Sequence, residues 1–575
     1  MAVMFKSGPA APKDPTKKRP FFYIMRNKAV SGSPQPDGRG ITFIYESDGR
    51  LQSSAGVVGN ITDEEMLNNL GKVDTFRKMV HSIGVSVKKN GEPVTVGFAF
   101  QMYGHTDPYV SGTTLYTEIS SDGMEYVLNL EDYEWSEDDN CPGQIRFEFP
   151  EPGIPANVTV AFYLNDGYDA PEQQEDKEID ITGPAYKAII EKSLIQLGNT
   201  YRVKKAIEKA RSGEETTVAF IGGSITQGAG AVPINKECYA YKTFEGFCKL
   251  CGKGTDENIK YVKAGVGGTP SQLGLVRYDR DVLDGGKITP DIVVVEFAVN
   301  DEGDETKGEC YDSLIRKIYN GPGKPAVILE YAVFANDWNL EERLCCVGES
   351  YRLPMVSARR SVVDQFYVSE SEGAVLTKSQ FFYDCFHPTN VGHSIMADGI
   401  LNMMKKADEM PLGTDIDITD IEAPKGKELE NIMFYGRDDI ANCPLVTKLD
   451  AGSFTETDTM LQAVERNLDL AGTPEFKDNW MYAGKGDAPV FKATIKCSAL
   501  MVVYMDSASI EVGTADVYAD GEKKISIDPH VVGWTHCNAL IAFRGAESKE
   551  HEVEIRIPEA DQGKRFTVLG FGIVE

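Results

Sequence analysis

Basic charge is scarce in this 575-residue chain: 59 lysines and arginines face 88 aspartates and glutamates, for a formal net charge of −29. Such a surface lacks the basic patch that neutralises phosphates and releases counterions, which excludes nucleic acid as a partner. It also opposes binding to anionic lipid headgroups. Long apolar runs are missing as well. The strongest, residues 292–295 and 297–299 on either side of Glu296, fall far short of the roughly 20 residues that cross a bilayer. No membrane partner is expected.

Cysteines number eleven, an odd count scattered along the chain, unlike the paired framework of a small secreted scaffold. Cys248 and Cys251 have a metal-like spacing, but no second pair stands at zinc-finger distance, and their apolar neighbours suggest a buried helix face. No metal is expected there. Residues 1–20 are rich in Pro and Lys and lack the apolar stretch of about 7–15 residues in a secretory signal. They read as a flexible N-terminal segment, and the expected location is cytoplasmic, with reduced thiols.

Hydrophobic residues at 42% and aromatics at 10% are ordinary for globular domains, and at about 150 residues per domain the length implies roughly three to four units. Residues 144–149 place Ile145, Phe147 and Phe149 on one face and Arg146 and Glu148 on the other; residues 157–164 do the same with Val158, Val160, Phe162 and Leu164. With turn signals at Asp122-Gly123 and Pro152-Gly153, residues 21–195 read as an antiparallel β-sandwich with few helices. Between 196 and 412 the pattern alternates. Strands are expected at 217–221, 259–264, 291–299 and 326–334, and helices at 199–211, 238–250, 271–283 and 311–319. That order gives a doubly wound parallel sheet in three α/β/α layers, flavodoxin-like. Strand patterns return at 491–504, 515–519, 552–557 and 566–574, so residues 413–575 read as a second, jelly-roll-like β-sandwich.

Open α/β sheets bind ligands beyond the carboxyl ends of their strands. The first such end is Gly222-Gly223-Ser224-Ile225-Thr226-Gln227-Gly228. Glycines permit a tight turn that exposes the next side chain, and a serine held there attacks an electrophile once a base takes its proton. A phosphate loop fails for want of Gly-Lys-Ser/Thr, and the Gly-x-Ser-x-Gly elbow fails because Thr226 stands where its second glycine belongs. The second end, Ala264-Gly265-Val266-Gly267-Gly268-Thr269, breaks as a dinucleotide fingerprint at Pro270. Its glycine-lined backbone can instead aim an N–H at developing negative charge. The third, Ala298-Val299-Asn300-Asp301, offers the Asn300 amide at the same rim, an Asx turn being the plain alternative. Finally, residues 383–393 hold two of the seven histidines, with Asp384 three residues before His387. That spacing lets the carboxylate reach the imidazole and fix its tautomer. Zinc on His387 and His393 would lack a nearby third ligand, and His393 is expected to hold the loop together.

In order along the chain, the segments GGSIT, KAGVGGT, AVND and DCFHP resemble the blocks of the SGNH/GDSL hydrolase superfamily, over roughly residues 198–410. The resemblance implies Ser224 as nucleophile, His387 as general base and Asp384 as its orienting partner. It also implies an oxyanion hole made by the Ser224 and Gly268 N–H groups and the Asn300 side chain, with no cofactor. Lys263 stands where an asparagine commonly opens the second block, and Ala298 where a glycine precedes the oxyanion asparagine; both departures could reshape the pocket floor.

Flanking sandwiches similar to those of many carbohydrate esterases, and the absence of an amphipathic lid, favour a sugar ester over a lipid. Aromatics in expected loops could stack on sugar faces: Trp338, Trp480 with Tyr482, and Trp534 in the segment 530–537. The alternative for each is a place in a core. The expected activity is removal of O-acetyl groups from oligosaccharides of plant polysaccharides such as xylan or mannan. Alternatives are an acetyltransferase using the same triad and a catalytically silent glycan-binding scaffold. Oligomeric state is not legible.

Overall fold

A computed structural model of the chain describes residues 3–4, 8–35, 37–44, 50–173, 176–369, 372–485 and 489–575. The N-terminal part forms two five-stranded sheets whose strands pair antiparallel throughout. The alternating residues of Asp139–Phe149 and Pro155–Leu164 meet between the sheets, where Phe100 stacks on Phe162 at 5.9 Å. Three helices that strand periodicity does not announce, Arg50–Val57, Glu64–Leu70 and Val73–Met79, pack on this core. Phe76 sits edge-on to both Phe100 and Phe162. The leading residues differ from the expected flexible segment. Val3–Met4 pairs with the strand Tyr126–Asn129 at the edge of one sheet, and Ala10–Ala11 pairs with Asp14–Lys18 in a separate two-stranded sheet, so backbone hydrogen bonds order a segment that shows no strand periodicity of its own. Residues 1–2 and 5–7 of that segment lie outside the described residues.

The middle of the chain builds a six-stranded sheet in the order Leu194–Gln196, Met355–Ser357, Ala326–Tyr331, Ile292–Glu296, Thr216–Gly222, Ile259–Gly265. Only the outermost strand, Leu194–Gln196, runs antiparallel. Counted along the chain, the parallel strands lie 2-1-3-4-5, the flavodoxin-like order, with its switch point beside the first strand. Val218, Phe220, Ile292, Val294 and Ile328 face one core, shared with the helices Tyr201–Ser212, Tyr239–Cys251 and Asn390–Glu409. Ala219, Ile221, Val293, Val295 and Leu329 face the other, shared with Ser271–Asp281, Glu309–Asn320 and Glu341–Tyr351. Burial on both faces is why these strands read as continuous apolar runs. The third strand stops at Glu296, short of the expected 299, because the chain turns there: Asn300 N–H donates to Phe297 O at 2.9 Å. Cys248 and Cys251 are core residues of their helix.

Toward the carboxyl end lies an eight-stranded antiparallel sheet, six of its strands on one hydrogen-bonded path and two off it: Val446–Asp450 pairs with Val490–Asp506, and Trp480–Ala483 with Arg565–Val574. Its long members, Val490–Asp506 and His536–Arg556, shift register between Cys497 and Ala499, the kind of bulge that bends a strand. Met501, Val503, Cys537, Ala539 and Leu569 join the second core of the central sheet, so this unit shares hydrophobic interior with the parallel-sheet unit. Trp480 and Tyr482, expected in loops, lie instead in the strand Trp480–Ala483, 3% and 1% exposed, packed with Phe491 and Phe571. Their alternation with Met481 was the strand signal. Among the described residues no helix is long and apolar enough to cross a membrane.

Candidate active site

The first parallel strand ends at Gly222, and Ser224 opens the short helix Ser224–Gln227, a position whose N–H has no acceptor within the helix. Gly223 is required here. A Cβ at that position would lie 2.1 Å from Asn300 Oδ1, so glycine alone lets the Asn300 amide close on the turn. Oδ1 of Asn300 is buried with no hydrogen-bond partner among the described residues.

Ser224 Oγ lies 3.0 Å from His387 Nε2, and His387 Nδ1 lies 2.9 Å from Asp384 Oδ2. The other Asp384 oxygen accepts the N–H groups of Phe386 and His387, both at 2.7 Å. Burial alone would raise the Asp384 carboxyl, but the facing imidazole and these donors hold it below the ordinary aspartate value. A carboxylate so held selects the Nδ1–H tautomer and leaves Nε2 to accept from the serine.

The loop that carries Asp384 and His387 is gripped from the N-terminal sandwich. Lys28, buried, donates to Phe382 O at 2.8 Å and to Ser379 O. Burial pushes its ammonium down to about 8, against the pull of Asp176 and Asp384.

Beneath the turn, Glu296 accepts from the Thr226 hydroxyl at 3.1 Å, and Thr226 also meets Tyr239 OH at 2.8 Å. Burial pushes the Glu296 carboxyl up to about 7. Arg277, fully buried, donates to Gly222 O at 2.8 Å and Ala264 O at 2.7 Å, tying together the ends of the two strands that lead to Ser224 and Gly268. Its charge meets Asp281 at 3.1 Å. Lys263, a departure from the superfamily pattern, donates to Gln227 O at 2.8 Å and so braces the same turn.

Gly267 is held from both sides: its N–H donates to Gln227 Oε1 at 2.9 Å, and its carbonyl accepts from Gln462 Nε2, in the C-terminal unit, at 2.8 Å. Gly268 takes φ +74°, a left-handed conformation natural to glycine. Trp534 stands against it, 43% exposed, so that a Cβ on Gly268 would lie 2.7 Å from the indole Cζ2. Trp338 stacks on Phe334 at 5.7 Å. Phe334 in turn meets Phe386, the neighbour of His387, at 4.9 Å. The structure therefore gathers Ser224, Gly268, Asn300, Asp384 and His387 at one rim, with Trp534 against Gly268 and Trp338 two ring contacts away from Phe386.

Two residues that the sequence reading did not single out stand at the same place. His536 Nδ1 lies 2.9 Å from Asp506 Oδ2, both buried, and the ring packs on Trp534 at 4.8 Å. Its Nε2 has no partner among the described residues and would lie 3.2 Å from a Cβ on Gly268. No local motif marks this pair, because Asp506 and His536 are joined only by strand pairing. His393 is fully buried with both ring nitrogens engaged: Nδ1 accepts from Tyr239 N at 3.2 Å and Nε2 donates to Ala229 O at 3.0 Å. Neither nitrogen is open to a metal, and no group of three or more ligating side chains occurs among the described residues.

No family model and no curated protein matches the chain. A solved two-domain esterase active on acetylated mannans is similar at 25% identity and TM-score 0.54, over 67% of this chain and 99% of its own. A structure of a two-domain esterase active on acetylated mannans, co-crystallized with mannopentaose, is similar at 25% identity and TM-score 0.55, over 69% of this chain and 99% of that one. Over that length the chain shares the fold of a two-domain esterase.

Proposed function

We propose that the protein is a serine esterase of the SGNH/GDSL type that removes O-acetyl groups from carbohydrates. The observation that carries this reading is the unbroken hydrogen-bond line from Ser224 Oγ through His387 to Asp384 at the carboxyl rim of the sheet. Likeness to an esterase active on acetylated mannans supports acetylated plant oligosaccharides, such as those of mannan or xylan, as the substrate class.

In this reading Ser224 Oγ attacks the acetyl carbonyl carbon while its proton passes to His387 Nε2. Asp384 steadies the resulting imidazolium. Charge gathers on the former carbonyl oxygen, facing the Ser224 and Gly268 N–H groups and the Asn300 amide, donors fixed before the reaction starts. The tetrahedral intermediate expels the sugar oxygen, which takes the proton from His387 and departs as a hydroxyl. Water then gives a proton to Nε2 and attacks the acetyl-serine; the C–Oγ bond breaks, Ser224 Oγ takes the proton back from His387, and acetate leaves. A silent scaffold would have no use for a base oriented by a carboxylate.

Acetate release from acetylated manno- and xylo-oligosaccharides is the direct test, with Ser224→Ala as the control. Wild-type release abolished by Ser224→Ala supports the reading, and equal release by both overturns it. Added acceptor sugar that captures the acetyl group in place of water would reassign the enzyme as a transferase.

A further inference from the structure

Trp534, which meets Gly268, lines a cavity of about 460 Å3 together with Tyr109 of the N-terminal sandwich. Both rings are open to solvent, Trp534 at 43% and Tyr109 at 63% exposed. The remaining lining includes Ser507, Glu511, Arg565 and Thr567. The Arg565 Nε is buried without a partner among the described residues. Exposed aromatic faces among hydroxyl, carboxylate and guanidinium groups suit a ligand with apolar ring faces and hydroxyl edges, which is the chemistry of a pyranose. A purely apolar partner would leave those polar groups buried and unsatisfied. The volume lies within the range of about 300–1,000 Å3 common for small-molecule sites.

Tyr109 is held in place despite its exposure. Asp107 Oδ1 accepts the N–H groups of Tyr109 at 2.8 Å and Val110 at 3.1 Å, and Gln101 donates to Tyr109 O at 2.7 Å. Asp138 anchors the start of the same loop through Thr106. The ring leans edge-on against Tyr103 at 5.5 Å. A ring fixed in advance loses little freedom on stacking.

We propose that this cavity is a distal oligosaccharide subsite, shared between Trp534 and Tyr109, through which the N-terminal sandwich takes part in substrate selection. It rests on the carbohydrate-esterase reading above. With the acetyl group at Ser224, the following sugar units pass over Trp534 and the more distant ones reach Tyr109. A short substrate stops before that wall.

The test compares acetylated mannobiose with acetylated mannohexaose on wild type, Tyr109→Ala and Tyr109→Phe. The KM ratio of hexaose to biose should rise about three- to ten-fold in Tyr109→Ala, as expected for a lost aromatic stack, and stay near wild type in Tyr109→Phe. An unchanged ratio overturns the proposal, as does an equal rise for both substrates. A second arm separates this outcome from failure of the esterase reading. In a Ser224→Ala background, calorimetry with unacetylated mannohexaose and xylohexaose needs no turnover. Binding of either that weakens with Tyr109→Ala supports the subsite, and absence of binding by both overturns it.

Discussion

The indole of Trp534 occupies the space that a side chain on Gly268 would need, 2.7 Å from where its Cβ would stand. An aromatic from the C-terminal unit thus lines the proposed oxyanion loop and is not part of that unit's own core. Trp534→Ala should raise KM for acetylated oligosaccharides by about three- to ten-fold, more than for p-nitrophenyl acetate, and leave thermal stability nearly unchanged. Trp480→Ala, by contrast, empties a core position that is 3% exposed and should cost about 3–5 kcal/mol. Steady-state kinetics and unfolding curves on both variants check the pair. A large stability loss in Trp534→Ala would return that residue to the core.

Asn300→Ala should lower kcat by roughly 10²–10³-fold with little change in KM, because a donor aimed at developing charge acts mainly in the transition state. Gly223→Ala should reproduce much of that loss without touching a donor, since its Cβ would collide with the Asn300 amide. A rise in KM at constant kcat in either variant would place Asn300 in ground-state binding instead.

Arg277→Met should destabilise the fold by about 1–3 kcal/mol, because buried carbonyls lose a donor, while Asp281 keeps Arg280 at 2.5 Å and Arg466 at 3.0 Å. Activity should fall as well, because Gly222 O and Ala264 O lose the guanidinium that ties the two strand ends. Arg277→Lys should recover only part of both losses, since one ammonium lacks the planar fork that spans two carbonyls. Chemical unfolding midpoints and kcat on folded protein read the two effects separately. Full activity in folded Arg277→Met would show that the strand ends hold their places unaided.

The central sheet was the legible part of this chain. Its strands are buried on both faces, so apolar runs at Val218–Ile221 and Val293–Val295 announce them, and turn glycines punctuate their ends. The spacing of Asp384 and His387 was equally local, and the structure closes it to 2.9 Å. What escaped was long-range. Asp506 and His536 meet only through pairing of two long strands, and Gln462 reaches Gly267 from a distant segment. Trp480 and Trp534 both read as aromatics in loops. Only the fold buries one and leaves the other on the rim, because burial depends on which face of which sheet meets a partner and not on neighbours in sequence.

Acid stability should depend on His393. Burial holds its imidazole neutral, pushed down to about 3, with the charges of His387, Lys242 and Lys263 adding to the effect. The unfolded chain binds that proton near pH 6.5. Between these values the unfolded state carries more protons, so this contribution is complete above about pH 6.5 and declines as pH falls toward about 3, by at most about 1.4 kcal/mol per pH unit. Glu296, pushed up to about 7, works in the opposite sense: the folded state keeps its proton, and stability falls as pH rises from about 4.5 to 7. The two partly cancel between about pH 4.5 and 6.5, and below that window the His393 loss stands uncompensated by Glu296. His393→Gln can retain one donor and one acceptor toward Ala229 and Tyr239 but has no proton to take up. It should be less stable than wild type at pH 7.5, having lost the ring stacked parallel to Tyr239, yet lose stability less steeply between pH 4.5 and 3.5. Urea unfolding at half-unit steps from pH 3.5 to 8 would show the two curves converging toward acid. Curves that run parallel would mean that His393 keeps an ordinary affinity for protons inside the fold.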